Sequence, residues 1–438
     1  MSLWTDELHC GACDRACPGA TSCVSGTCRC DTTGLTLCGT NCVHLPTDES
    51  HCGSCGTACS PTRTCTGGTC WCAPPTAGSE MRLTTTLQTV REMQIAASSA
   101  RAAIAWIEDG GSSLPSEARF LLLAPDGARA LASDVVLATV PAGRRISSID
   151  VAWSGSVWGV AWSEQQTGGL ERVFFQRVAA DGTPLGSPIA VGSDASGWDD
   201  IALAHSSTLG FVLAECTSSS EDTWFWTLGA DASGPLPLAT RIRLSSSASL
   251  SLSTEPSGAS ALVRGATVQP VDADGAVTRP NVFVSTIGRL YDLAWDGAGW
   301  ATTTVTHQSG VGYRTSLVRG PALDLALSLR APQSYNGTLS SLSIMGDDAL
   351  VVSTVFPDGS ASSIGTIELT RAQIPTSVAR AATLRSPAVR MGSVATVSRS
   401  MPVAASHVGS DRLVMVWADA RWGQLELYSM GADVPRCE

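Results

Sequence analysis

Lysine is missing from this sequence, and all 28 of its basic residues are arginine. The chain therefore lacks the Schiff-base lysine, the phosphate-loop lysine and the kinase-type lysine that whole classes of enzyme require. Charge is also scarce and one-sided, because 15% of the residues are charged and the net charge is −11, so no nucleic-acid partner is expected. Runs of about 18 apolar residues are absent as well, and no membrane span is expected.

Aromatic residues make up only 5% of the chain, while Ser, Thr, Ala, Gly and Val are abundant. This composition favours strands over long amphipathic helices. At roughly 150 residues per domain, 438 residues allow one to three domains with a sizeable core. The expected fold class is therefore all-β.

Cysteine is distributed very unevenly, because fourteen of the 16 cysteines lie between residues 10 and 72. So short a segment with few large apolar residues is usually stabilised by dense disulfides. Zinc binding and a redox-active Cys-Gly-x-Cys are the alternatives, but eight cysteines in one unit favour four bridges over one tetrahedral site. No metal site is predicted, and the pairings stay open. The predicted disulfide cysteines are Cys10, Cys13, Cys17, Cys23, Cys28, Cys30, Cys38, Cys42, Cys52, Cys55, Cys59, Cys65, Cys70 and Cys72.

The cysteines repeat with an offset of 42 residues, so that the His-Cys-Gly-x-Cys segment at 9–13 matches the one at 51–55. The second copy opens with Cys38-x-x-x-Cys42, for which the first copy has no counterpart, and it closes with Cys70-x-Cys72. This unit resembles the stigma-specific-type cysteine-rich repeat, which also occurs in secreted proteins of myxobacteria. The resemblance covers about 65 of the 438 residues, and it implies an extracellular, disulfide-stabilised module without catalytic residues.

Disulfides require an oxidising compartment, which implies secretion. The first nine residues hold Asp6 and Glu7 and no apolar stretch, so we expect a signal sequence or lipid anchor upstream of residue 1. The expected location is extracellular, periplasmic or on the outer surface. Proteins or polysaccharides at the cell surface are the expected partners, and the oligomeric state is left open.

A linker is indicated by Pro74, Pro75 and Gly78, which divides the chain into a disulfide-rich module (1–77) and a second domain (78–438). In the second domain a strand, glycine turn and strand recur, since residues 149–162 resemble residues 290–303. Weaker copies make seven in all. They begin near Ile95, Ile201, Leu250, Leu342 and Pro402.

Three copies continue to an Asp-Gly hairpin turn before a fourth strand, at Asp126-Gly127, Asp181-Gly182 and Asp274-Gly275. Four antiparallel strands at this period are typical of a β-propeller blade. The last copy has three strands, and the strand at 83–90 is expected to complete it. We therefore predict a seven-bladed β-propeller, with six or eight blades as alternatives.

Tryptophans at repeated positions are interpreted as packing between blades rather than as a sugar-stacking array. They are Trp153, Trp158, Trp162, Trp295, Trp300 and Trp417. His205 and His407 fall near the blade position of Trp153 and are interpreted in the same way. The Asp272-x-Asp274-Gly275 segment is similar to part of a calcium loop but lacks the further oxygen ligands, so a hairpin turn is favoured. No cofactor is predicted, and structural calcium is left open.

Charged residues concentrate in the loops that follow each second strand and in the segments between blades, which share one face of a propeller. We treat that face as the candidate ligand-binding surface. Its candidate residues are Glu108, Asp109, Glu164, Asp199, Asp200, Glu221, Asp222, His307, Asp358, Asp419, Arg421 and Trp422.

Neither His-Glu-x-x-His nor Gly-x-Ser-x-Gly is present, so no catalytic residue is assigned. The sequence favours a secreted or cell-surface binding protein that uses a propeller face for recognition. The alternative is a secreted carbohydrate-active hydrolase or lyase that uses loop carboxylates about 5–10 Å apart. A purely structural fragment of a larger surface protein is a third interpretation. A Cys216–Cys437 bridge would join blades three and seven and is not favoured, so the cysteine module or an upstream chain is the alternative partner of Cys437.

Overall fold

A computed structural model describes most of the chain, and within the described residues every regular element is a β-strand. The described residues are 2–86, 88–167, 170–195, 200–216, 222–229, 239–243, 250–264, 267–277, 282–283, 288–295, 300–308, 312–320, 326–327, 340–345, 348–355, 365–373, 383–385, 388–394, 403–421 and 424–437. In this part of the chain no helix is long and apolar enough to cross a membrane.

Two compact units make up the chain: Met1–Pro74 with Pro435–Glu438, and Pro75–Val434. The boundary falls a few residues before the expected position at 77/78. The last four residues belong to the first unit, whereas the domain bounds expected from the sequence placed them in the second.

Three two-stranded antiparallel sheets form the first unit. Their strands are β1 (Thr21–Val24), β2 (Thr27–Cys30), β3 (Thr36–Cys38), β4 (Asn41–Val43), β5 (Arg63–Thr66) and β6 (Thr69–Cys72). The pairs β1–β2 and β5–β6 have the same register, with Cys23 opposite Cys28 and Cys65 opposite Cys70. The repeat seen in the sequence is therefore also a structural repeat.

Disulfides connect this unit in the same way in both copies. The equivalent bridges are Cys10–Cys23 with Cys52–Cys65, and Cys17–Cys28 with Cys59–Cys70. Cys38–Cys55 is a further bridge inside the second copy, and Cys30–Cys42 joins the two copies. These six bridges contain twelve of the fourteen predicted cysteines, and a thirteenth, Cys72, pairs outside the predicted set.

Cys13 is the exception to that prediction, because it is an exposed free thiol. Its counterpart in the second copy, Cys55, pairs with Cys38. At the 42-residue offset, the position equivalent to Cys38 would lie before residue 1.

The last bridge of the unit joins Cys72 to Cys437, 365 residues later. It uses the closing cysteine of the second copy, as Cys30–Cys42 uses the closing cysteine of the first. Since Cys437 is occupied here, the disfavoured Cys216–Cys437 bridge does not form.

Seven sheets of four or five strands, the blades, make up the described part of the second unit. Blades 1 to 3 contain β9 (Thr89–Ala97), β10 (Ala102–Asp109), β11 (Ser116–Leu123) and β12 (Val135–Val140); β13 (Ile146–Trp153), β14 (Val157–Gln165), β15 (Glu171–Ala179) and β16 (Pro184–Ala195); and β17 (Asp200–Ser206), β18 (Gly210–Cys216), β19 (Asp222–Thr227) and β20 (Ala239–Arg243).

Blades 4 to 7 repeat the same antiparallel order along the chain. They contain β21 (Leu250–Thr254), β22 (Ser260–Arg264), β23 (Thr267–Val271) and β24 (Val282–Phe283); β25 (Gly288–Trp295), β26 (Trp300–Gln308), β27 (Gly312–Gly320) and β28 (Ala326–Leu327); β29 (Ser340–Met345), β30 (Asp348–Val355), β31 (Gly365–Gln373), β32 (Thr383–Leu384) and β33 (Val389–Val394); and β34 (Ala404–Val408), β35 (Arg412–Asp419) and β36 (Glu426–Asp433).

The first strand of each blade contacts the first strand of the next blade, from β9 through β13, β17, β21, β25 and β29 to β34. β34 in turn contacts β9, so these inner strands close a ring around a central channel. The prediction of a seven-bladed β-propeller is confirmed.

Blade 7 is completed by residues from the start of the unit. β7 (Thr76–Ala77) and β8 (Met81–Arg82) both pair with β36. The expected closing strand at 83–90 thus lies several residues earlier, because Thr89 and Val90 already belong to the inner strand of blade 1. Ring closure by an N-terminal segment occurs as predicted, but its position differs.

Apolar side chains pack between neighbouring blades. Trp106, Trp158, Trp162 and Trp417 are each at most 2% exposed and lie in these inter-blade cores. Trp153 and Trp295, at the ends of inner strands, are only half-buried. The packing interpretation therefore holds for most of the repeated tryptophans, while these two also reach the surface.

Candidate functional site in the propeller

Strand direction sorts the connections of the blades onto two faces. The loop face carries the connections after each second strand and between blades, and the turn face carries the hairpin turns after each first and third strand. The candidate residues that the structure describes belong to the loop face or to the strand ends beside it.

Glu108, near the end of β10, is only 2% exposed. Its carboxylate accepts hydrogen bonds from Trp106 Nε1 at 3.2 Å and Thr86 Oγ1 at 3.0 Å, and Arg119 Nε lies 3.0 Å away. Burial raises the pKa of Glu108, against the effect of these partners. The partners occupy the carboxylate, which indicates a structural role inside the blade.

Asp109, the next residue, is held by a second group of donors. Arg91 Nη1 and the Gly111 N–H each donate at 2.9 Å, and Ser116 Oγ donates at 3.0 Å. Burial opposes the effect of these donors, but their hydrogen bonds keep the pKa of Asp109 below its usual value. Asp109 also lines an open cavity of about 370 Å³ together with Thr89, Arg91, Gly110 and Gly111.

Asp419 and Arg421 pair with each other in blade 7, with Arg421 Nε 2.7 Å from Asp419 Oδ2. Arg421 also binds Glu80 and lies over the ring of Tyr428, 4.3 Å from its centroid. The Asp419 side chain is fully buried. This network attaches the closing N-terminal segment to blade 7.

Three further described candidates, Glu164, Asp222 and His307, lie in blades 2, 3 and 5. Glu164 is half-buried and accepts a hydrogen bond from Gln166 Nε2 at 3.1 Å. The Asp222 carbonyl accepts from Arg264 Nη1 at 3.2 Å, and the backbone of His307 lies in β26. Asp199, Glu221, Asp358 and Trp422 lie outside the described residues.

The last candidate, Asp200, lies on an inner strand and faces the channel with three carboxylates that the sequence did not single out. These are Glu92, Asp150 and Asp292, on the inner strands of blades 1, 2 and 5. The repeated Asp-x-Ala-Trp at 150–153 and 292–295 is the signal that identifies two of them.

Each channel carboxylate accepts a backbone N–H from the inner strand of the next blade. Glu92 Oε1 accepts from Ile149 at 3.1 Å, and Asp150 Oδ2 accepts from Leu203 at 2.6 Å. The other two contacts are Asp200 Oδ2 with Leu250 N at 2.8 Å and Asp292 Oδ2 with Leu342 N at 2.9 Å. The carboxylates therefore join neighbouring blades along the channel.

Two of these carboxylates also share a hydroxyl, because Ser148 Oγ lies 2.9 Å from Glu92 Oε1 and 3.4 Å from Asp200 Oδ1. Burial raises the pKa of Glu92 to about 7 and that of Asp150 to about 7. The negative charges of Glu92 and Asp292 add to the shift at Asp150. Burial also raises the pKa values of Asp200 and Asp292, so the channel carries less negative charge than its sequence implies.

Metal-binding geometry among the described residues is limited to two cysteine triads in the first unit. They are Cys10, Cys17 and Cys28, and Cys52, Cys59 and Cys70. All six sulfurs are in disulfides, which explains their proximity. In the Asp272–Gly275 segment the Gly275 N–H donates to the Asp272 carbonyl at 2.9 Å, which is the favoured hairpin turn.

On the turn face, a cavity of about 530 Å³ lies beside the inner-strand ends of blades 7, 1 and 2. Its lining residues are Ala97, Ser98, Ser99, Trp153, Ser406, His407, Gly409 and Ser410. This volume lies within the range of about 300–1,000 Å³ that is common for small-molecule sites. The sequence interpreted both Trp153 and His407 as packing residues only.

The fold and these sites define the second unit as a β-propeller with a polar channel and a cavity at the turn face. No protein-family model matches the chain, and no curated protein sequence matches it. A chain in the crystal structure of a mitotic checkpoint complex is similar over 82% of this chain and 92% of that chain, with 13% identity and a TM-score of 0.48.

Proposed function

We propose that the chain is an extracellular binding protein in which the propeller is a rigid recognition platform. A β-propeller suits an interaction role, because its loops and turns are presented by a ring of packed sheets. The dense disulfides of the first unit support an oxidising location outside the cytoplasm. The resemblance of the cysteine repeat to extracellular modules supports the same location.

One observation carries this proposal: described carboxylates on the loop face are already bound within the protein. Glu108 and Asp419 are buried and paired with arginines, and Asp109 accepts three hydrogen bonds. A glycoside hydrolase needs two carboxylates that face one cleft about 5–10 Å apart, with one of them free to exchange a proton. Carboxylates that already bind partners inside the protein support binding over hydrolysis.

The test combines a turnover assay with a binding assay on the full chain. Release of reducing ends is measured on neutral and anionic polysaccharides, and binding is measured on a glycan array and with a displayed peptide library. We expect binding of at least one glycan or peptide class and no turnover. Turnover that is lost in Glu164→Gln but kept in Asp126→Asn, a hairpin-turn control, would instead support the carbohydrate-active enzyme. Failure to bind any probe would contradict the proposal.

A further inference from the structure

We propose that the turn-face cavity beside Trp153 binds an uncharged sugar residue of a glycan. The inference rests on the binding function proposed above and gives that function a site and a ligand class. Three blades line the cavity: the β9–β10 turn of blade 1, the end of β13 in blade 2, and the β34–β35 turn of blade 7. Closing turns of three sheets thus form one concave surface.

The cavity offers hydroxyl groups that the protein itself does not use. Ser98 Oγ is committed to its own turn, since it accepts the Arg101 N–H at 3.0 Å. By contrast, Ser99, Ser406 and Ser410 have no side-chain hydrogen bond to the described part of the chain. A hydroxyl donates one hydrogen bond and accepts two, which matches the alternating donors and acceptors of a sugar.

His407 adds an oriented donor to the cavity. Ser343 Oγ accepts the His407 backbone N–H at 3.2 Å and lies 3.0 Å from His407 Nδ1. The serine proton can therefore go to Nδ1, which leaves the ring hydrogen on Nε2. Burial lowers the pKa of His407, so the ring is neutral at pH 7 and contributes no charge.

Trp153 supplies an aromatic surface. Its ring is half-buried and lies against Trp158, with 4.4 Å between ring centroids. This contact fixes the indole in place, so little side-chain entropy is lost when a ligand packs on it. The apolar face of a pyranose ring suits such packing, while its hydroxyls reach the serines and His407.

The absence of charged residues in the cavity lining indicates which sugars it can bind. No lining residue of the turn-face cavity carries a charge, whereas the loop-face cavity contains Arg91 and Asp109. An anionic sugar would lose hydration in the turn-face cavity without gaining a cationic partner. The cavity therefore favours neutral sugars over uronates or sulfated sugars.

The test is calorimetric titration of the full chain with neutral tetrasaccharides (maltotetraose, cellotetraose and mannotetraose) and with an oligogalacturonate. We expect binding of at least one neutral tetrasaccharide and none of the oligogalacturonate. Trp153→Ala should weaken that binding about tenfold or more, and Ser406→Ala should weaken it several-fold. Trp295→Ala is the matched control, because Trp295 holds the same place in blade 5, 4.9 Å from Trp300, but does not line the cavity.

Ser406→Ala keeps the test decisive if Trp153→Ala fails to fold, because it removes a single oxygen atom from the cavity. Equal loss in the Trp295→Ala control, or unchanged affinity in both cavity variants, would overturn the sugar site. If no neutral sugar binds but a displayed peptide does, the site assignment fails while the binding function stands. If no glycan or peptide binds at all, both fail.

Discussion

Single carboxylates connect the blades along the channel. The inner strand is the edge strand of each sheet. The N–H groups on its free edge therefore have no neighbouring strand of the same sheet to pair with. Glu92, Asp150, Asp200 and Asp292 accept these N–H groups from the following blade. Between blades 6 and 7, serine takes this role, because Ser341 Oγ accepts the Ala405 N–H at 3.1 Å. Polar residues at this edge thus replace the missing strand.

These carboxylates predict that the protein loses stability as the pH rises. The pKa of Glu92 is about 7 in the folded protein, above its usual value of 4.5. At a pH between 4.5 and about 7, the folded state therefore binds more protons at Glu92 than the unfolded state does. Its contribution is therefore largest at acidic pH and falls as the pH rises through about 7. Glu92→Gln keeps an oxygen to accept from Ile149 and should flatten the fall of melting temperature between pH 5 and pH 8, measured by calorimetry.

The control is Asp181→Asn in an exposed turn. Hydrogen bonds from Thr183 lower the pKa of Asp181. The pH dependence of its contribution to stability is therefore opposite to that of Glu92: the contribution is lost as the pH falls. Removing it should leave the loss of stability between pH 5 and pH 8 intact. An unchanged slope in Glu92→Gln would show that this channel carboxylate does not titrate with folding.

Sequence could not identify which acids have these roles. Glu108 and Asp419 were predicted as candidate ligand-binding residues, but both are buried, and the partner of Glu108 is Arg119 on the neighbouring strand β11. Such partners depend on how strands pair, which the residues nearby in sequence do not determine. The aspartate at 150 recurs at 292 in the sequence. Its partner, the backbone N–H of Leu203 in the next blade, becomes apparent only from the arrangement of the blades in the ring.

Hairpin turns could be predicted from the sequence, because their conformation depends on the residues of the turn itself. Asp126-Gly127, Asp181-Gly182 and Asp274-Gly275 were predicted as hairpin turns, and each glycine has a positive φ. In all three the aspartate side chain also accepts the N–H two residues later. The closing strand was placed too late, since its pairing with β36 is a contact between the two ends of the unit.

One of these turns also packs against blade 7. The Gly431 N–H donates to the Asp126 carbonyl at 2.9 Å, and Ser429 Oγ donates to the Gly127 carbonyl at 2.7 Å. A Cβ on Gly127, where φ is +87°, would lie 2.8 Å from the backbone nitrogen of Gly431. The turn therefore has to be glycine for two reasons, conformation and contact.

Gly127→Ala separates these two reasons when it is compared with Gly155→Ala. Gly155 has a φ of +97° but open space around it, so its substitution should lower the free energy of unfolding by roughly 1–2 kcal/mol. Gly127→Ala should lower it by about 1–3 kcal/mol more, because the backbone of blade 7 has to shift. Urea denaturation measures both variants. Equal losses would mean that the contact with blade 7 does not constrain the turn.

For the molecule as a whole, the bridge between Cys72 and Cys437 closes a loop that contains the entire propeller. Chain entropy makes long loops the more stabilising ones: about 6 kcal/mol for a separation of 365 residues, against about 3 kcal/mol for the separation of 11 in Cys59–Cys70. Measured values are often lower because the unfolded chain keeps residual structure.

The double variant Cys72→Ser with Cys437→Ser should therefore lower the melting temperature of the propeller, measured by near-ultraviolet circular dichroism. Cys59→Ser with Cys70→Ser is the matched control, because it removes one disulfide whose loop lies inside the first unit. It should leave the propeller transition in place. If both double variants lower that transition equally, the large loop is not what stabilises the propeller.

The same bridge gives residues 72–437 the connectivity of a covalent circle. A protease that cuts one exposed turn, such as the one at Gly155, produces two pieces that remain a single molecule until the bridge is reduced. A protein cut at one turn is therefore expected to stay folded, because strand pairing holds the two pieces in place and the bridge prevents their dissociation. For the extracellular binding protein proposed above, such a circle would keep a cleaved chain together in its binding conformation.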